Sequence, residues 1–409
     1  MYKNSKNHNK VSVVKKKPAR TTRVTAVVKI HPESLIYLNK GHPWVTLDSF
    51  SKEFPRSIDF LKVENGNEFI VLINDPEHPT VRARFWSRIE KHQTFHFALH
   101  ERINQALTKR EQIINSGDRN NYILVFGEAD FLPGLTITFL NNNILIQTQM
   151  PFWNKHKKQL FKILDERFDR PYYFWQNRYG ENKSIKPVGR YKIKPFHIKE
   201  FGCSFKIDFT LGEDFGIYTD MSAIRQTLAE YITDQTSLLN LYSYTGAFSL
   251  FAIKNNALKT TSVDLSKRYL EVLEENIKHS ELDLTKHHSD NLEVKVALKK
   301  YIKNKEKYNV IICDPPSFSR GKKSYQKSLN DYKILIPQFY KILEKEGYLI
   351  CFINTHQIAM SKFRKTFNTY LEDNKDLKLI KYLTLKDDCP RLSNFSEGDY
   401  IKGIVLQKK

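Results

Sequence analysis

The chain has 409 residues, 40% hydrophobic and 13% aromatic, with four cysteines and a net charge of +21. That length exceeds what a single core fills, so two or three domains are expected. A mean hydropathy of −0.52, with no apolar run near ~18 residues, excludes membrane-spanning helices, and the positive excess points to a polyanionic partner, most commonly nucleic acid.

Residues 1–23 carry Lys15, Lys16, Lys17, Arg20 and Arg23, and the first acid of the chain is Glu33. This reads as a disordered basic arm, either an RNA-phosphate tether or a solvated tail. It lacks the apolar stretch of ~7–15 residues that a signal peptide needs. From 24 to about 95 the chain is strand-like: 24–30 is rich in β-branched residues, 68–73 is apolar and 81–86 alternates, as in a small β-rich domain. Residues 95–114 space Phe97, Leu99, Ile103 and Leu107 as a helix does. Within 96–204, strand patterns at 122–126, 135–140 and 144–147 join an amphipathic helix at 155–168, predicting a central α+β domain.

Beyond about 205, short β-rich runs at 238–243, 260–264, 308–314 and 348–354 alternate with helical patterns. They predict a wound α/β sheet of parallel strands with ligands at its carboxyl edge. Residues 379–383 and 401–406 read as edge strands.

In Tyr242-Ser243-Tyr244-Thr245-Gly246-Ala247-Phe248 a strand enters a turn with one glycine, and a helix starts near Ala247. Such a turn brings backbone N–H groups close to a ligand. About 18 residues later, Val263-Asp264-Leu265-Ser266 puts a carboxylate at a strand end, where a nucleoside ribose can bond to it. Ser266 is placed to cap the next helix, whose Leu270, Leu273 and Ile277 form a core stripe. Asp290 and Asn291 follow a third strand pattern and either read an adenine edge or, for Asp290, cap a helix. A single glycine is not the three-glycine dinucleotide fingerprint, so hydride transfer is a poor fit.

Asp314-Pro315-Pro316-Ser317-Phe318 ends the strand Val310-Ile311-Ile312-Cys313. Two prolines stop the ladder and stiffen the exit, which either holds a flat base or merely terminates the strand. Cys203, Cys313, Cys351 and Cys389 lie far apart, without zinc spacing or a disulfide framework, so no metal is expected and a cytoplasmic setting fits.

The C-terminal half resembles class I methyltransferases, with Tyr242 to Ser249 as the cofactor turn, Asp264 as the ribose acid and Asp314 to Phe318 as the catalytic loop. Gly41-His42-Pro43-Trp44-Val45, Phe126-Gly127-Glu128-Ala129-Asp130 with Leu132-Pro133-Gly134-Leu135, and Tyr218-Thr219-Asp220 extend this. Together they resemble the bacterial large-subunit (23S) ribosomal RNA methyltransferase I family. The resemblance implies an α/β architecture: a Rossmann-like domain over 205–409, a PUA-like RNA-binding domain over 24–95 and the central domain between them. It implies S-adenosylmethionine as cofactor, bound by Tyr218, Asp220, Arg225, residues 242–248, Asp264, Leu265, Ser266, Asp290, Asn291 and Asp314. RNA, in particular 23S ribosomal RNA, is the implied partner, with no membrane; monomer or homodimer stays open.

The family's product is 5-methylcytosine, which requires a cysteine thiolate to add at C6 before C5 attacks the methyl group. At the matching position this chain has Asn354. By strand alternation Cys351 faces the other side, Cys313 reads as core, and Cys389 sits in a freer loop away from the family's position. Ser222 stands where the family usually has arginine, while Arg225 is retained.

Asp314 to Ser319 and Phe352-Ile353-Asn354 also resemble the domain that methylates guanine N7 in large-subunit ribosomal RNA. There Asp314, Pro315, Pro316 and Asn354 hold the base, and Phe318 either stacks on it or packs in the protein. Arg320, Lys322, Lys323 and Lys327 hold flanking phosphates or form a solvated loop. The sequence therefore favours a base methyltransferase of 23S ribosomal RNA, acting at cytosine C5 by family but at guanine N7 by its own residues. The alternative is an RNA-binding ribosome-assembly factor with a degenerate methyltransferase domain.

Overall fold

The computed structural model describes residues 25–46, 49–50, 55, 57–88, 94–316, 322–373 and 375–409. The front of the chain forms a five-stranded sheet in the spatial order Thr25–Val28, Phe60–Asn65, Glu68–Asn74, Val81–Arg88, Trp44–Thr46. Alternate side chains serve two cores. Leu61, Val63, Ile70 and Leu72 close over Leu38 of the helix Pro32–Asn39, while Phe60, Val71, Ile73 and Trp86 face the helix Phe95–Ser116. Covering on both faces explains why Glu68–Asn74 reads as a near-continuous apolar run.

Thr94 caps Phe95–Ser116 by accepting from the Phe97 amide (3.3 Å), and Gly117, at φ 73°, ends the helix in the left-handed conformation. Phe95, Leu99, Ile103 and Leu107 are buried on one stripe, but Phe97 is exposed. This helix joins the front sheet to a second sheet in one continuous core. The second sheet runs Ile185–Pro187, Tyr172–Asn177, Asn143–Thr148, Leu135–Leu140, Asn121–Phe126, and the predicted helix at 155–168 is Lys157–Asp165.

A hairpin, Phe196–Glu200 with Cys203–Ile207, leads into the third sheet. Its strands are β1 (Ser237–Leu241), β2 (Lys259–Val263), β3 (His287–Asp290), β4 (Tyr308–Cys313), β5 (Leu343–Asn354), β6 (Leu377–Thr384) and β7 (Ile401–Lys408). They lie in the order β3-β2-β1-β4-β5-β7-β6. β1 to β5 are mutually parallel and β7 is antiparallel to both neighbours. Helices α1 (Ala247–Lys254), α2 (Lys267–His279), α3 (Val294–Lys303), α4 (Lys322–Ile342) and α5 (Met360–Asp373) cover the two faces. This is the expected Rossmann-like architecture.

One strand expectation fails: β7 is not at the edge but is inserted between β5 and β6. All but the last of its residues are buried, and Gly403 lies so tightly between Phe352 of β5 and Leu383 of β6 that a Cβ there would fall 2.6–2.8 Å from them. No helix among the described residues is long and apolar enough to cross a membrane. Lys15, Lys16, Lys17, Arg20, Ser317, Phe318, Ser319 and Arg320 lie outside the described residues.

Candidate active site

β1 delivers the chain into a turn in which Tyr242 (φ 58°), Tyr244 (φ 50°) and Gly246 (φ 80°) are all left-handed. Non-glycine residues enter that region at a cost, and such strain clusters where a backbone is shaped for a ligand. Gly246 has no alternative: a Cβ would meet the Leu273 side chain of α2 at 2.2 Å. Asp264, just past β2, braces the turn. One of its carboxylate oxygens accepts from the Tyr244 amide and the other from the Ser266 amide, both at 2.9 Å. A carboxylate has roughly four acceptor positions, so Asp264 keeps capacity for hydroxyls brought by a ligand. Ser266 caps α2 by accepting from the Tyr269 amide, and Leu265 is exposed beside it.

The segment before α1 is sewn to the same turn. The Gly216 amide donates to the Tyr244 hydroxyl (2.7 Å), the Thr245 hydroxyl donates to the Gly216 carbonyl (2.5 Å), and the Tyr218 and Tyr244 rings lie 5.4 Å apart. Asp214 accepts from the Tyr218 and Tyr269 hydroxyls, each at 3.2 Å. Arg225 is buried and grips Glu200 of the hairpin through two bonds, 2.6 and 3.0 Å, while also donating to the Tyr218 carbonyl. Burial pushes the Glu200 carboxyl up, but Arg225, Asn121 and Arg119 together hold it below the usual carboxylate range.

The charge of Arg225 reaches Asp220 and Asp314 but does not offset the cost of their burial. Burial raises Asp220, against the opposing pull of its bond from the Tyr400 hydroxyl. Burial, helped by the Asp220 charge, raises Asp314 to about 7. The hydroxyls of Thr219, Ser222 and Ser243 are buried and meet no hydrogen-bond partner among the described residues. An unmet buried hydroxyl costs about 1–3 kcal/mol, so these three call for polar partners that a ligand can bring.

On the other flank, β4 ends at Asp314, whose amide lies 3.5 Å from the Leu241 carbonyl, and the chain leaves through Pro315 and Pro316. Tyr332 of α4, fully buried, shares its one hydroxyl proton between the carbonyls of Cys313 and Phe352 and so bridges β4 and β5. Asn354 is the last residue of β5 and pairs in register with Ile401. Thr355 follows, its amide bonded to the Tyr400 carbonyl at 2.8 Å.

Other predicted site residues sit differently. Tyr242 packs its ring against the core under α3, α4 and α5, and Phe248 is buried, stacked on Phe352 at 5.8 Å. The Asp290 carboxylate is taken by Lys300 (2.8 Å) and Tyr301 (2.6 Å) of α3, and it does not cap that helix, whose N-cap is Glu293. The Asn291 amide clamps the carbonyls of Asp264 and Leu265. Lys322, Lys323 and Lys327 fall on the first turns of α4.

Cys389 is not free: the loop carrying it is buried because Asp388 docks onto Arg119, the Ile123 amide and Arg110. Burial pushes the thiols of Cys203, Cys313, Cys351 and Cys389 upward, Cys203 to about 12.

Glu200, Tyr400 and Lys402 belong to the site but carry no motif; only their contacts reveal them. The front motifs are joints. Trp44 and Arg84 both donate to Glu128, at 2.7 and 2.6 Å, and Asp130 holds Arg110 through both oxygens. His42 and Trp44 meet Phe395 at 5.6 and 4.7 Å, and His42 pairs with Glu397 at 3.5 Å.

The family model described as S-adenosylmethionine-dependent methyltransferase matches residues 169–384. The chain belongs to that family. This methyltransferase is 28% identical to ribosomal RNA large subunit methyltransferase I of Pseudoalteromonas translucida, over 90% of its own chain and 96% of the relative. It is 31% identical to the Bacillus subtilis protein provisionally named ribosomal RNA large subunit methyltransferase YwbD, over 76% and 82%. A crystal structure provisionally described as a methyltransferase complexed with S-adenosylhomocysteine shares the fold at a TM-score of 0.83 and 22% identity, covering 94% of this chain and all of the other.

Proposed function

We propose that this methyltransferase modifies a base of large-subunit (23S) ribosomal RNA, at guanine N7 rather than cytosine C5. The observation that carries this reading is the state of the cysteines: all four are buried, with thiols pushed above their ordinary range, and the end of β5 presents Asn354 instead. A C5 attack needs a thiolate. A guanine N7 lone pair needs only alignment with the methyl group and exclusion of water. The named activities of the Pseudoalteromonas and Bacillus relatives support the ribosomal RNA substrate.

S-adenosylmethionine supplies the electrophilic methyl group. The pocket fits it by its buried, unmet hydroxyls: Thr219, Ser222 and Ser243 would hold the amino-acid end and Asp264 the ribose. Asp220 and Asp314, raised by burial beyond what Arg225 offsets, favour a cationic ligand. Asp314 and Asn354 hydrogen-bond the base edge at the ends of β4 and β5, Pro315 and Pro316 stiffen that exit, and Phe318 stacks on the base. The front domain (24–95), the arm with Lys15, Lys16, Lys17 and Arg20, and the basic residues Arg320, Lys322, Lys323 and Lys327 hold flanking RNA.

Mass spectrometry of ribosomal RNA from strains with and without the gene tests the reading. Loss of a 7-methylguanine is expected; loss of a 5-methylcytosine overturns the choice of base. Modification left unchanged by Asp314→Ala, in a strain without the native copy, would replace catalysis with the RNA-binding assembly role.

A further inference from the structure

We propose that Lys402 is a positioning residue, whose ammonium locks the loop after Asn354 to the loop on which the front domain docks. The inference rests on the reading of Asn354 as a base contact. Lys402 lies on β7 opposite Ile353 and is 3% exposed. Its Nζ donates to the Thr355 carbonyl at 2.8 Å and to the Asp399 carbonyl at 2.5 Å. Among the described residues no carboxylate comes within ion-pair distance of it, because Asp399 gives its carboxylate to Arg391 at 2.9 Å.

A buried ammonium held by two carbonyls alone is an expensive way to fill space, since methionine would fill the same volume without desolvating a charge. What the cation adds is a bond to each of two loops. One loop begins at Asn354. The other, 395–399, carries Phe395 against Trp44 and Glu397 against His42. Between them Tyr400 bonds through its carbonyl to the Thr355 amide and through its hydroxyl to Asp220. A single stretch, 395–402, thus touches the front domain, the cofactor-side acid and the base-side loop. Its geometry ties RNA held at the front to the alignment of the base.

The charged groups around Lys402 are Asp399 from its own approach, Arg391 from the preceding loop and His356 from the loop after β5, which itself feels Glu397. Burial lowers the ammonium to about 8, against the upward pull of Asp399. Below that pH the bonds to the carbonyls are charge-assisted; above it they weaken.

The test uses the full chain with Lys402→Met and Lys402→Arg. Hydrogen exchange over 353–357 reads the lock without catalysis. Lys402→Met should speed it on the order of tenfold, and Lys402→Arg should leave it near wild type. Unchanged exchange in Lys402→Met overturns the proposal whatever the substrate is. With ribosomal RNA, Lys402→Met should lower kcat on the order of tenfold, while S-adenosylhomocysteine affinity by calorimetry and KM for RNA hold. Lys402→Arg should restore kcat and carry its alkaline fall from near pH 8 to above about pH 9, because guanidinium stays charged. Equal loss in both variants with an unmoved alkaline limb also overturns it. Failure of wild type to methylate ribosomal RNA, with the exchange result as expected, would count against the proposed function and not against the lock.

Discussion

The two flanks of the same sheet edge are built by different means. On the cofactor side, the turn after β1, Asp264 after β2 and Asn291 after β3 brace one another through backbone amides and carbonyls. On the base side, the Cys313 and Phe352 carbonyls share the Tyr332 hydroxyl of α4, and the loop after Asn354 is held by side chains and backbone at the start of β7, Tyr400 and Lys402. A cofactor of fixed shape suits a turn set by local strain. A base delivered on a large RNA suits a wall that tertiary contacts can adjust.

The largest effect is expected on the cofactor flank, from Arg225→Ala, which leaves Glu200 charged and buried with Asn121 and Arg119 as its remaining partners among the described residues. Thermal unfolding should show a loss of about 3–5 kcal/mol; a loss under about 1 kcal/mol would mean the pair does not brace the site. Gly246→Ala should cost about 2–4 kcal/mol, because its Cβ would collide with Leu273 in a left-handed backbone, and calorimetry should show S-adenosylhomocysteine binding lost.

Asp314→Asn separates the flanks: methyl transfer should fall on the order of a hundredfold, with S-adenosylhomocysteine affinity changed less than about tenfold. It also tests the buried acid. A carboxyl raised in the folded state from 3.8 to about 7 contributes stability that is full below its unfolded value and is lost as pH rises through about 7. The wild type without cofactor should therefore lose stability between about pH 4 and 7, and Asp314→Asn should flatten that slope in pH-dependent melts.

Asn291→Ala removes the clamp on 264–265 and should weaken cofactor binding by about 1 kcal/mol, leaving kcat at saturation alone. Smallest of all, Cys351→Ala and Cys389→Ala should keep the methylation rate within about twofold. A collapse of rate in either would restore thiol chemistry on the base side.

The cofactor flank was the more legible in sequence, for a physical reason. A β-rich run, a turn with one glycine and an acid after the next run follow one another within a single strand–turn–helix–strand unit. Asn354 was legible because it closes a strand. Phe60–Asn65 carries few patterned apolar positions, and Tyr172–Asn177 opens on four consecutive aromatics without alternation, so neither stands out before its partners are known. Asp290 looked like a ligand-facing acid at a strand end, yet Lys300 and Tyr301 claim it, and no spacing rule announces that.

By itself the sequence determined the wound α/β class, the strand ends that meet a ligand and the absence of a cysteine at the end of β5, because periodicity and turn chemistry act over a few residues. Only the tertiary structure decided that β7 lies inside the sheet, that Asp388 buries Cys389, and that Tyr400 and Lys402 stand behind Asp220 and Asn354. Those facts depend on which buried charges and carbonyls find each other across the fold, and such pairings leave no periodic trace along the chain.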